Sequence, residues 1–167
     1  MWDNESTFLV SNRMERIKKI VSGWSWVERI AIPGVVLFSL VALWSSLFRD
    51  FDHDEFEALH SAWLSFSGQT IYVDFFQHHH FLLYYSLAPV FAIFGEGVDV
   101  IMAARLLSLA MMFGITFLVY RIAGLVYDRN TALLSTLFLS MTFTFFDKAI
   151  EIRPDVPLVL MELLSVF

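Results

Sequence analysis

The chain has 167 residues, of which 57% are hydrophobic, only 17% are charged and 18 are Phe, and its mean hydropathy is +0.64. These values lie far from those of soluble domains and predict an all-α, polytopic integral membrane protein. The net charge of −6 argues against nucleic acid as a partner, and the absence of Cys excludes disulfides, thiolate metal sites and a cysteine nucleophile.

Residues 1–29 carry Arg13, Arg16, Lys18, Lys19 and Arg29, with Ile17, Ile20, Val21, Trp24 and Val27 at roughly helical spacing. The pattern suits a basic amphipathic segment lying on the cytoplasmic membrane surface; a solvated basic leader is the plainer alternative. No small-residue cleavage site follows an apolar core, so this is not a cleavable signal peptide. Residues 30–48 form the first expected span, with Pro33 near its start, where a missing N–H does least harm. Basic residues before it and a mostly acidic stretch after it place the N-terminus in the cytoplasm.

Residues 49–99 are then an exported loop holding all five histidines. Phe56, Leu59, Ala62, Trp63 and Phe66 recur at three and four residues, which predicts an amphipathic helix over residues 54–67, closed by Gly68-Gln69. The apolar run Phe81 to Phe94, interrupted by Pro89, is shorter than the roughly twenty residues a spanning helix needs and reads as interfacial or re-entrant.

Residues 100–167 hold the further spans. Val100 to Tyr120 crosses, Arg121, Tyr127, Asp128 and Arg129 form a cytoplasmic turn, and Thr131 to Phe146 crosses back. Val156 to Phe167 begins another span but stops before it could finish, so a truncated chain is expected.

On this topology two ionisable clusters meet on the outer face: Asp52-His53-Asp54-Glu55, and Glu151-Ile152-Arg153-Pro154-Asp155. Ionisable groups at membrane boundaries are costly to place and are the first functional candidates. Asp54 and Glu55 are adjacent on a helix and cannot both face one partner, so one is free to act on a substrate while the scaffold holds the other. The alternative is a plain helix cap with acidic first-turn residues. Arg153 either serves the same cavity or snorkels to the boundary. His53, Glu57 and His60 share one helical face, which makes them a weak divalent-metal candidate, and His78, His79 and His80 read as polar residues of an aqueous active-site mouth.

The ordered set of His-Asp-Glu, a Gly-Gln turn, an aromatic run ending in histidines, Leu-Leu-Tyr-Tyr-x-Leu-Ala-Pro, Ala-Ala-Arg-Leu-Leu-Ser and Arg-Pro-Asp resembles the N-terminal part of the GT-C glycosyltransferases. The branch is that of the bacterial protein O-mannosyltransferase-like enzymes and the lipid A aminoarabinose transferase. The resemblance spans residues 30–167 and implies transfer of a sugar from a polyprenyl-phosphate donor to an acceptor hydroxyl at the periplasmic face of a bacterial inner membrane. It implies Asp54 as the base and Asp155 as a second carboxylate, with Glu55 beside them; Arg153 and Arg105 become the cations for a lipid phosphate, and His79 a residue of the mouth. Where the family commonly has proline after the histidines, this chain has Phe81.

The chemistry is coherent: a carboxylate deprotonates the attacking hydroxyl and a cation holds the departing phosphate. No nucleotide is needed, in keeping with a sequence that has no G-x-x-x-x-G-K-S/T loop. No cofactor beyond a divalent metal is expected, and membrane lipids are the expected surroundings. The competing reading is a non-catalytic relative serving as a structural transmembrane subunit of a larger photosynthetic or respiratory complex. A proton-coupled transporter fits less well, because its carboxylates would sit within spans rather than at their ends.

Overall fold

The computed structural model describes residues 21–167, so the basic amphipathic segment lies for the most part outside the described residues. Helix α1 (Trp26–Phe48) begins upstream of the expected Ile30, because Ser25 and Glu28 form a capping box: each side chain satisfies the other's backbone N–H. Pro33 therefore lies inside the helix rather than at its first turn. Ile30, Leu37, Leu40, Trp44 and Phe48 stay exposed while Val27, Ala31 and Ala42 are buried, so the helix keeps large apolar side chains on its open face. In a membrane protein that face meets lipid.

After a short linker come α2 (His53–Phe66), α3 (Leu82–Phe94) and α4 (Val98–Val126). Helix α2 closes in Schellman geometry: Gly68, at φ 91°, donates to the Ser65 carbonyl, and Gln69 donates to that of Leu64. Helix α3 has 13 residues, ~20 Å at 1.5 Å per residue, against ~30 Å of hydrocarbon. It packs on α2. Leu83, Tyr84, Leu87 and Phe91 of α3 share one buried cluster with Ala58, Leu59 and Ala62 of α2, Ala104 of α4, and Ile152.

Helix α4, at 29 residues, and α1, at 23, are the two described helices long and apolar enough to cross a membrane. They run antiparallel, since Arg105 near the start of α4 reaches the carbonyls of Ser46 and Arg49 at the end of α1. The expected span Thr131–Phe146 is instead two helices, α5 (Arg129–Met141) and α6 (Phe143–Ala149), divided at Thr142 by an extended residue with ψ 121°. Helix α5 starts beside the start of α1, where Arg129 pairs with Glu28 at 2.8 Å and Ser25 hydrogen-bonds Asn130. Gly34 allows the two to approach closely: a Cβ there would stand 2.7 Å from Leu137 Cδ1. The α5–α6 pair thus rises alongside α1 and delivers Glu151 to Arg49, 3.2 Å away. Helix α7 (Asp155–Val166) returns along α4, with Leu160 against Gly114 and the Phe167 ring under Arg121. The chain is an all-helical membrane protein with a charged cluster at one end of the bundle.

Candidate functional site

The cluster grows from the cap of α2. Asp52 is the N-cap, its Oδ1 accepting the Asp54 N–H at 2.9 Å, while the Asp52 N–H returns a bond to Glu55 Oε2 at 3.3 Å. The Asp54 N–H lowers the Asp52 pKa against an opposing desolvation, and His53, Arg49 and Arg153 act in the same lowering direction. Helix capping therefore accounts for Asp52 and Glu55, but not for Asp54.

Adjacent residues on a helix diverge by about 100°, and Glu55 and Asp54 illustrate the consequence. Glu55 is 0% exposed and Arg105 is 4% exposed, joined by Nη2–Oε2 at 2.7 Å and Nε–Oε1 at 3.1 Å. The other Arg105 donors go to the carbonyls of Ser46, Arg49 and Asp50. A guanidinium has five N–H donors, and all of them are used here. Arg105, expected to hold a phosphate, has no donor left for one. Glu55 in turn accepts the Ile152 N–H as well as the Asp52 N–H, so the pair ties α1, α2, α4 and the segment before α7 into one knot.

Asp54 faces the other way. Its Oδ2 accepts from Arg153 Nη1 at 2.8 Å, and its Oδ1 stands 3.0 Å from Nε2 of His53, a ring that is 91% exposed. Arg153 also bonds Glu151 at 3.1 Å, and its Nε lies 3.7 Å from Asp155 Oδ2. Asp54 and Asp155 therefore share one guanidinium, which places the two acidic clusters in a single site. Burial works against the Arg153 charge, yet Glu151, Asp54 and Asp155 outweigh it and raise its pKa. Its Nε is buried with no hydrogen-bond partner among the described residues.

Sequence reasoning missed Glu151 as the hub of this cluster. It is buried and contacts three cations, Arg49, Lys148 and Arg153. A carboxylate so close to a span end, among nearby basic residues, was the available signal.

The histidines divide differently from expectation. His53, Glu57 and His60 do not converge: His53 turns to Asp52 and Asp54, His60 stacks near Phe56 and Trp63, and Glu57 lies 3.6 Å from His78 Nδ1. A shared helical face fixes backbone positions, while the flanking partners turn each side chain elsewhere. The described groups that do converge are Glu57, His78 and His79, and Asp52, His53 and Asp54. Tyr84 lies buried nearby, its phenol pushed well above the ordinary range by burial and then by the Glu57 and Tyr72 charges.

A family model described as dolichyl-phosphate-mannose-protein mannosyltransferase matches residues 78–167, more than half of the chain. The chain belongs to that family. It is a membrane glycosyltransferase of the GT-C type. No curated protein sequence and no solved structure matches it. The region matched to the mannosyltransferase family contains the histidine run, Arg105, Arg153 and Asp155, and it begins after Asp54 and Glu55. Those two join it through Arg105, Ile152 and Arg153.

Proposed function

We propose that this chain takes part in transfer of a sugar from a polyprenyl-phosphate donor to an acceptor hydroxyl on the outer, periplasmic face of a multi-pass inner-membrane protein, with Asp54 as the general base. The observation that carries the reading is the division of the acidic pair. Glu55 is consumed by Arg105, whereas Asp54 is 38% exposed and shares Arg153 with Asp155.

In this mechanism Asp54 Oδ1 takes the proton of the acceptor hydroxyl as its oxygen attacks the anomeric carbon. The new C–O bond forms as the bond to the donor phosphate breaks, and the phosphate leaves with the electron pair. Arg153 holds the departing phosphate through donors that now face Asp54 and Asp155, so donor binding draws the guanidinium from Asp54 and frees that carboxylate to act. His79 lines the mouth, and the apolar flank of α1 leaves a lipid-borne donor a sideways approach.

Asp54→Asn keeps shape and hydrogen bonding but removes the base. Transfer from a polyprenyl-phosphate sugar by membranes carrying the natural gene product should fall by about two to four orders of magnitude. Undiminished transfer by that variant would remove Asp54 from the mechanism.

A further inference from the structure

We propose that Glu57, His78 and His79 form a binding site for a divalent transition-metal ion of the zinc class. Each offers one ligand atom, and the three atoms lie within 4.8 Å of one another. The Glu57 Oε1 to His78 Nδ1 separation is 3.6 Å. Two metal bonds of about 2.1 Å at a tetrahedral angle put ligand atoms ~3.4 Å apart, so only small side-chain adjustments bring these onto one ion. Two imidazoles and one carboxylate are a donor set that zinc accepts, with a fourth position left for water or a substrate oxygen.

The backbone beneath the histidines is held from both sides. Gln77 is buried, donates to Ser61 Oγ at 2.8 Å, and accepts the backbone N–H groups of both His78 and His79 at 2.8 and 3.2 Å. Tyr72 Oη donates to the His79 carbonyl at 2.5 Å, although Tyr72 itself sits at φ 69°, a conformation disfavoured for an aromatic residue. These bonds fix where the two imidazoles start and leave their ring nitrogens uncommitted to Gln77 or Tyr72. The rings lie 3.9 Å apart and tilted by 41°, rather than packed into the core.

The other cluster, Asp52, His53 and Asp54, is a poorer site. Its carboxylates are already occupied by the α2 cap and by Arg153. Taking a metal there would dismantle both. Glu57, by contrast, has His78 as its one ion-pair partner among the described residues, and a metal would replace that contact with two bonds to the same ion.

The test is titration of the full chain, purified in detergent and stripped with chelator, with Zn²⁺ by calorimetry and with Co²⁺ by visible absorption. The expected result is one tight site per chain with a Co²⁺ spectrum of histidine-containing low coordination. Affinity should fall at least ~10-fold in the His78→Ala/His79→Ala double variant, since even outer-shell losses cost that much. Glu57→Gln, which preserves shape and helix, should weaken binding in the same direction, so a folding defect of the double variant does not leave the question open. His53→Ala should bind as the parent does. Absence of stoichiometric uptake, unchanged affinity in Glu57→Gln and in the double variant, or loss of binding in His53→Ala each overturns the proposal. The readout needs no sugar transfer, so it is independent of the role of Asp54.

Discussion

Replacing Arg105 by Met keeps most of the side-chain length and apolar contact but removes every donor of the buried pair. Glu55, 0% exposed, is then left as a carboxylate whose remaining partners are two backbone N–H groups, and the carbonyls of Ser46, Arg49 and Asp50 lose their guanidinium. Removing one member of a buried ion pair costs ~3–5 kcal/mol, because the survivor stays buried without its counter-charge. At ~2–4 °C per kcal/mol for a chain of this size, the melting temperature should drop by about 6–20 °C. The assay is thermal melting in detergent followed by intrinsic fluorescence, for which the 5 Trp residues provide the signal. Removing the stranded charge as well, in Glu55→Leu/Arg105→Met, should recover part of the loss, so the two substitutions couple favourably in a double-mutant cycle. If Arg105→Met melts with the parent, or if the double variant is as unstable as the two single losses added together, the knot does not hold this end of the bundle.

Because the chain has no native Cys, single introduced thiols report topology cleanly. Ser67→Cys should react with an impermeant maleimide added outside intact cells, and Tyr127→Cys only after permeabilisation; the reverse pattern would invert the proposed orientation. Asp52 has a lowered pKa, so its cap contributes stability that is fully present above the ordinary carboxylate value near 4 and is lost as pH falls through its folded-state pKa. Asp52→Asn should therefore melt below the parent at pH 7, with the gap closing as the pH falls below the ordinary carboxylate range and through the lowered pKa of Asp52; a gap independent of pH would show that the charge is not what caps α2. Gly68→Ala places a side chain at φ 91° with no heavy atom within 4 Å of the new Cβ, so the cost is backbone strain alone. A destabilisation of about 1–2 kcal/mol in the same melting assay is expected, and none if the Schellman turn is dispensable.

Much of the fold could be read from local pattern. The three- and four-residue apolar spacing over Phe56 to Phe66 marked α2, Gly68 marked its end, and the apolar run Phe81 to Phe94 marked a short α3. The break at Thr142 had no signal, because neither Pro nor Gly stands there. In the site, Asp52-x-x-Glu55 is a capping-box pattern and could have been read as one. Arg105 had a subtler warning: a guanidinium set within the apolar run Ala-Ala-Arg-Leu-Leu-Ser needs a buried counter-charge before it can bind anything else. That its partner is Glu55, fifty residues away in sequence, depends on how α2 lies across α4. Likewise Gln77 looks like an ordinary loop residue until its bonds to the two histidine amides and Ser61 are seen.

The division between Asp54 and Glu55 follows from where each cation can reach. Arg105 is carried on α4, beneath α2, and sees only the inward side of the first turn; Arg153 approaches from the segment before α7 and sees the open side. A carboxylate matched by two guanidinium donors on one side and by backbone amides on the other gains nothing by taking a proton from substrate, since it would have to break the knot to do so. A carboxylate held by one shared guanidinium at the surface has a partner that can be drawn off by a competing anion. Arg153 already divides itself among Asp54, Glu151 and Asp155, so an arriving phosphate need displace only a part of its bonding. The buried hub Glu151 keeps Arg153 in place during that exchange, with Arg49 and Lys148 balancing the Glu151 charge from the other side. On this reasoning the exchangeable pair rests on the rigid one: Glu55, bound to Arg105 and to the Ile152 amide, anchors the segment from which Arg153, paired with Glu151, reaches Asp54 at the distance that such an exchange needs.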